Sequence, residues 1–155
     1  MHSTKERLDR MRQTSNEVAA AIAGQPDDVL GRRPAADAWS ATEIVCHLRD
    51  IEEFYLERVR LILTHDEPPL IVLDPDRWAD ERQYRRHEIV GAHRAFGVRR
   101  RETLAVLDAL DVEQWERAGL HRLRGRLTIR HIVHSWAKHD QGHLDQLRRA
   151  VAGRP

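Results

Sequence analysis

Four stretches of this chain repeat apolar residues at spacings of three and four, the period of an α-helix that buries one face, and this pattern limits the fold more than any other feature. The first stretch covers residues 4–23, with Leu8, Met11, Val18, Ala19 and Ile22 in line, and Gly24, Gln25 and Pro26 stop it. A connection over residues 27–38 holds Gly31 and Pro34. The second helix opens at Ser40 with Glu43 three residues on, a capping box in which each side chain answers a free amide of the first turn. Trp39 stands just before the cap, placed to staple onto the apolar stretch that follows. Ile44, Leu48, Ile51, Tyr55, Val59 and Ile62 then mark the buried face. The pattern breaks at Asp66, Glu67, Pro68 and Pro69 and again at Asp74 and Pro75; the apolar piece between, residues 70–73, is expected to be extended and to cover one end of a bundle. A third helix is expected over residues 78–110, carrying Ile89, His93, Phe96, Leu104, Leu107 and Leu110, with Gly91 and Gly97 weakening its middle. A connection through Gly119 and Gly125 leads to a fourth helix over residues 128–151, with Ile129, Ile132, Trp136, Leu147 and Ala150 on its stripe. No internal repeat is visible. The reading is one all-α domain over residues 1–155, a four-helix bundle.

Charge excludes some partners. Lysine plus arginine (26) nearly balances aspartate plus glutamate (25), so no global field favours nucleic acid. Arginines do gather at 82, 85, 86, 94, 99, 100 and 101, but Asp80, Glu81, Glu88 and Glu102 interleave with them, as on a solvated helix face of mixed charge. No apolar run approaches the ~20 residues of a membrane span. The first residues lack the apolar stretch of a secretory signal, and a cytoplasmic protein is expected. The single cysteine, Cys46, excludes an internal disulfide. It neighbours His47, but consecutive helix residues point about 100° apart, so packing as a small hydrophobe is its expected role.

Helical phase sorts the ten histidines. In a heptad count from Ile129, His139 and His143 share the core side with Ile132 and Trp136, while His131 and His134 face solvent. His139 and His143 are one turn apart on one face. His47 lies within the stripe of the second helix, three after Ile44 and four before Ile51. Three core-facing histidines on two helices are costly to bury, since each ring has two nitrogens to satisfy and protonated rings repel. A divalent cation relieves both costs by accepting three neutral nitrogens at about 2.0–2.2 Å. His93 is expected to be a hydrogen-bonded core or cleft residue, with a fourth ligand or a proton shuttle as the alternatives; His87 has less support still, and His2, His65 and His121 carry no signal. Glu43, Asp50 and Asp140 lie near enough in sequence to accept a remaining imidazole N–H, although Glu43 has its capping role and Asp140 could be exposed.

These residues carry a resemblance. Trp39 and Ser40 with His47 eight positions after the tryptophan, then Trp78, Phe96 and Arg100, then residues 125–129, then His139, His143 and Gln146 follow in order over nearly the whole chain. In them the chain resembles the DinB-like superfamily of bacterial four-helix proteins, which includes bacillithiol- and mycothiol-dependent transferases. The resemblance implies that His47, His139 and His143 are metal ligands, that a long crossover joins helices 2 and 3, and that the protein is often a homodimer. Zinc, nickel, iron and copper all suit imidazole, and the metal's identity stays open.

A dication held by neutral ligands can bind a thiol as the thiolate or lower the pKa of water to about 7. The first expectation is therefore a metal-dependent transferase of a low-molecular-weight thiol, with Arg100 either receiving an anionic group or snorkelling. The alternatives are a metal-dependent hydrolase with a nearby carboxylate as base, and a non-catalytic, stress-linked metal-holding dimer with a closed four-ligand site. Nucleic-acid binding is a distant further possibility.

Overall fold

The computed structural model describes residues 3–155; Met1 and His2, and with them the start of the expected domain, lie outside the described residues. Side-chain caps set where the long helices begin. Ser3 and Glu6 form a capping box at α1 (Thr4–Ile22), and Ser40 and Glu43 form the expected one at α3 (Ala41–Thr64). Thr128 accepts the His131 amide at the start of α7 (Ile129–Val151), and Glu88 accepts the amides of Val90 and Gly91 at the start of α5 (Ile89–Asp108). A short helix, α2 (Asp27–Gly31), occupies part of the first connection.

The third long helix is shorter than its apolar pattern predicts. Residues 75–81 instead form a separate helix, α4 (Pro75–Glu81), and Tyr84–Arg86 a single 3₁₀ turn. Gln83 breaks the path by adopting φ 52°, a left-handed conformation that costs a side-chain-bearing residue about 1–2 kcal/mol. Tyr84 holds the break in place: it is fully buried, and its hydroxyl donates to Asp50 Oδ2 at 2.7 Å.

A small sheet was not announced by any alternating pattern. β1 (Pro69–Leu70) pairs in parallel with β2 (Ala118–His121), which follows the short α6 (Val112–Glu116) and forms a hairpin with β3 (Gly125–Thr128). The extended piece expected at 70–73 is thus a strand at 69–70. Gly119 permits the close approach, because a Cβ there would lie 2.6 Å from Leu70 Cδ2 and 3.0 Å from the Pro68 carbonyl.

In the bundle, α1 packs against α5 and α7, and α3 packs against the same two, so α1 and α3 lie across from one another. The expected crossover between the second and third long helices is residues 65–88, carrying β1, α4 and the 3₁₀ turn. The core falls into two apolar halves. One gathers Ile44, Leu48, Phe96, Leu144 and Leu147; the other gathers Leu56, Val59, Ile62, Ile132 and Trp136. Between them, on α3, α5 and α7, sits a belt of buried or half-buried polar side chains: His47, Glu52, Arg100, His139, Asp140 and His143. No helix among the described residues is long and apolar enough to cross a membrane.

Candidate metal centre

The facing helices α3 and α7 bring His47, His139 and His143 together with one ligand-capable nitrogen from each, all within 4.8 Å of one another. Nε2 of His47 lies 3.0 Å from Nε2 of His139. Ring centroids are 4.2 Å apart for His139 and His143 and 4.5 Å for His47 and His143. His143 Nδ1 is 2.7 Å from Gln146 Oε1, an acceptor, so Nδ1 carries the proton and Nε2 keeps its lone pair. Gln146 does this from one turn further along α7, an i,i+3 position that is legible in the sequence once His143 is identified.

Burial, and then the neighbouring imidazole of His143, push His47 down to about 3; the same two causes, followed by His47 and Arg100, push His139 down to about 2. His143 is also lowered, by burial. All three rings are therefore neutral near pH 7, with lone pairs crowded together and no cationic partner. His139 Nδ1 is buried and has no hydrogen-bond partner. This donor set fits a divalent ion: neutral nitrogens, converging within coordination reach, one with its tautomer fixed.

The expected carboxylate partners are all engaged elsewhere. Glu43 accepts from the Ser40 amide and from Arg33, and although burial favours its neutral form, those contacts hold it below the usual carboxylate range. Asp50 takes Arg49, Tyr84 and Arg82, each at 2.7 Å; these overcome burial and bring it down to about 2. Asp140 is buried, not exposed, and lies 2.7 Å from Arg100 Nη1. Arg100 neither snorkels nor faces a ligand: it is 1% exposed and donates to Glu52 at 2.7 and 2.8 Å. His93 is not a fourth ligand; its Nε2 donates to the Ser15 carbonyl at 2.8 Å. Cys46 packs in the core, and burial raises its thiol to about 11. Arg82, Arg99 and Arg100 of the arginine run are spent on Asp50, Glu53 and Glu52.

The three histidines form one wall of a cleft of about 320 Å³. Trp39 also lines it, with its ring stacked on that of His143 at 6.3 Å and 14° between planes, and 5.0 Å from His47. It also packs against the core half that includes Ile44, so the expected staple doubles as a wall of the site. Tyr55 borders His139 at 6.1 Å. Phe54, Val72, Leu73 and Pro75 supply apolar lining, and Arg58, His121 and Arg124 complete it; no carboxylate is among the lining residues. His121, signal-free in the sequence, is thus part of the cleft, brought there by the unforeseen hairpin.

The profile of the DinB superfamily matches residues 7–147. The chain belongs to the DinB superfamily. It is 20% identical over 147 residues to a protein of Oceanobacillus iheyensis named "Putative metal-dependent hydrolase OB0413", covering 95% of this chain and 84% of that protein. It is 27% identical over 139 residues to the protein YuaE of Bacillus subtilis, covering 82% of this chain and 86% of YuaE. The solved structure of YfiT from Bacillus subtilis, described as a probable metal-dependent hydrolase with an unusual four-helix bundle topology, superposes with a TM-score of 0.88 at 17% identity, over 97% of this chain and 88% of YfiT. That likeness fixes the DinB-like bundle as the fold of this chain.

Proposed function

We propose that this DinB-superfamily protein is a divalent-metal-dependent enzyme in which His47, His139 and His143 hold the ion, and that it transfers a low-molecular-weight thiol to an electrophile held in the adjoining cleft. The observation that carries this reading is three neutral imidazoles opening onto a cleft without a carboxylate. An ion bound by neutral nitrogens keeps its Lewis acidity, retains open positions and lowers the pKa of a thiol or water that reaches it. A thiol bound there would release its proton to solvent as it becomes the thiolate, and no carboxylate lines the cleft to take that proton. Gln146 fixes the His143 tautomer, Trp39 and Tyr55 shield the rings, and Phe54, Val72 and Leu73 receive the organic part of the substrate. Cys46, buried and protonated, takes no part.

Hydrolysis is the second reading, favoured by the names given to the Oceanobacillus protein and to YfiT. It would use the same residues, with water in place of the thiol and without the carboxylate base that the sequence led one to expect beside it. The two readings separate in one experiment. Protein loaded in turn with zinc, nickel and iron is assayed for conjugation of small thiols to a bimane or chlorodinitrobenzene acceptor, and for hydrolysis of a nitrophenyl ester panel. Metal-dependent conjugation that His143→Ala abolishes supports thiol transfer. Ester hydrolysis without conjugation overturns it in favour of the hydrolase. A cytoplasmic homodimer belongs to the same proposal, and sedimentation equilibrium at micromolar concentration tests the dimer.

A further inference from the structure

Arg58, His121 and Arg124 line the same cleft as the three imidazoles, yet nothing in metal binding or in either reaction calls for them. They come from separate places: Arg58 from α3, His121 from the end of β2, and Arg124 from the hairpin turn. Among the described residues, neither arginine has a carboxylate within ion-pairing distance, although Arg49, Arg82, Arg99 and Arg100 nearby are all paired. Arg58 is nevertheless held in place. Its Nη2 donates to the Ile71 carbonyl, its guanidinium lies 4.4 Å from the Phe54 centroid and 5.8 Å from that of Tyr55, and its Nε is buried without a partner. The Arg124 side chain makes one long hydrogen bond, 3.5 Å to Ser135 Oγ, and is otherwise exposed. His121 Nδ1 accepts the amides of Leu123 and Arg124, each at 3.2 Å, so the neutral ring carries its proton on Nε2 as a donor.

Positive groups gathered without counter-charge oppose one another. Burial and then Arg124 disfavour the charge on Arg58, even with Tyr55 favouring it; burial and then Arg58 and Arg124 disfavour protonation of His121. Most buried or half-buried arginines of this chain meet a carboxylate, Arg117 being held instead by the Ile62 and His65 carbonyls well away from the cleft lining. A half-buried, immobilised and uncompensated arginine beside a second arginine is the usual arrangement for receiving an oxyanion, which supplies the missing charge and takes several N–H donors at once.

We infer that Arg58, Arg124 and His121 form a subsite for a carboxylate or phosphate group on the small molecule whose other end reaches the histidine cluster. The inference deepens the proposed function by naming the substrate class of that cleft: a small molecule with an apolar body against Phe54, Val72 and Leu73 and an anionic terminus. It rests on that reading for the role of the histidines, but the subsite itself involves no metal.

The test is calorimetric titration of phosphate, malonate and neutral malonamide into the full chain, zinc-loaded and metal-free, with metal content measured on the same samples. One anion is expected to bind both forms, with malonamide at least about ten-fold weaker, a difference the handling of one charge readily supplies. Tighter phosphate points to a phosphorylated molecule and tighter malonate to a carboxylic acid. Arg58→Gln and Arg124→Gln should each weaken the anion about ten-fold and leave metal content unchanged, whereas Arg85→Gln, at an exposed residue outside the cleft lining, should do neither. Arg58→Gln also removes the tie to Ile71, so Arg124→Gln tests the charge without that structural loss. Absence of anion binding, equal loss in Arg85→Gln, or an effect of Arg58→Gln alone overturns the subsite. Loss of the subsite with metal retained leaves the metal-centre reading intact, and anion binding by a chain that holds no metal does the reverse.

Discussion

The helices α3 and α7 share two buried polar clusters, and the contrast between them separates architecture from function. One is built around Arg100. Its guanidinium donates to both oxygens of Glu52, to the Met11 carbonyl at 2.9 Å, and lies 2.7 Å from Asp140. Cation and anions are all less than 3% exposed, and their charges meet within the chain, although neither buried oxygen of Asp140 accepts a hydrogen bond. The histidine cluster has no such closure. Its three rings face one another without a counter-charge, and His139 Nδ1 has no partner at all. Asp140, next to His139 in sequence, turns to Arg100 and makes no hydrogen bond to the imidazoles, acting on His143 only through its charge. A cluster whose charges cancel within its own chain fixes how helices pack. A cluster left incomplete by its own chain is completed by something else, and three converging neutral nitrogens fit a divalent cation.

The sharpest way to break this contrast is to remove a ligand. Wild-type protein, expressed without a histidine tag, is expected to carry nearly one metal ion per chain by plasma mass spectrometry. His139→Ala or His143→Ala should reduce that to under about a tenth, with the far-ultraviolet dichroism retained, because coordination needs the full set. Metal retained in both variants would mean that the imidazoles are not the ligands. The largest effect on stability belongs to the other cluster. Arg100→Met strands Glu52 and Asp140 in the core and should cost about 3–5 kcal/mol in urea unfolding. The triple variant Arg100→Met, Glu52→Leu, Asp140→Leu should recover most of that loss, since no buried charge is then unpaired. A triple variant no more stable than the single one would show that the cluster is more than internal neutralisation.

Helical phase made one of these clusters legible and hid the other. His47, His139 and His143 could be placed because each falls on an apolar stripe, and phase states which side chains turn inward. The starts of α3 and α7 were legible from Ser40 with Glu43 and from Thr128. Arg100 lies on the inward face formed by Phe96, Thr103 and Leu107, but its charge suggests solvent, and only its distant partners Glu52 and Asp140 explain its burial. The break at Gln83 depends on Tyr84 reaching Asp50 from another helix, a contact with no local signature. The cleft's basic wall was hidden for a similar reason. His121 and Arg124 sit in a hairpin with no helical phase, and their position follows from β2 pairing with β1 far along the chain.

Smaller effects sharpen the comparison where the metal cluster meets the protein. Gln146→Leu removes the acceptor that fixes His143 and should weaken metal binding about 10–100-fold without altering the stability of the metal-free chain by a similar amount. Competition with a chromogenic chelator measures it, and unchanged affinity would deny Gln146 its orienting role.

Acid provides the last distinction, because the imidazoles respond over a different range from an ion-paired carboxylate such as Asp50. In the folded metal-free chain His47 and His139 are held down to about 3 and 2, chiefly by burial, while in the unfolded chain they titrate near ~6.5. Between those values the unfolded state binds more protons, so stability rises with pH: the full contribution is present above ~6.5 and is lost as the pH falls toward 3. Each group contributes a slope of about 1.4 kcal/mol per pH unit across that window. Asp50, lowered to about 2 by Arg49, Tyr84 and Arg82 against its burial, acts only once the pH falls below its ordinary value near ~4. Urea unfolding of the metal-free chain at pH 7.5, 6.0 and 5.0 should therefore show a loss already by pH 5.0, and His139→Leu should reduce it, with His47 and His143 keeping the rest. A flat profile over that range would mean that the imidazoles are not buried as neutral groups, and the open cluster would lose the feature that sets it apart from the closed one.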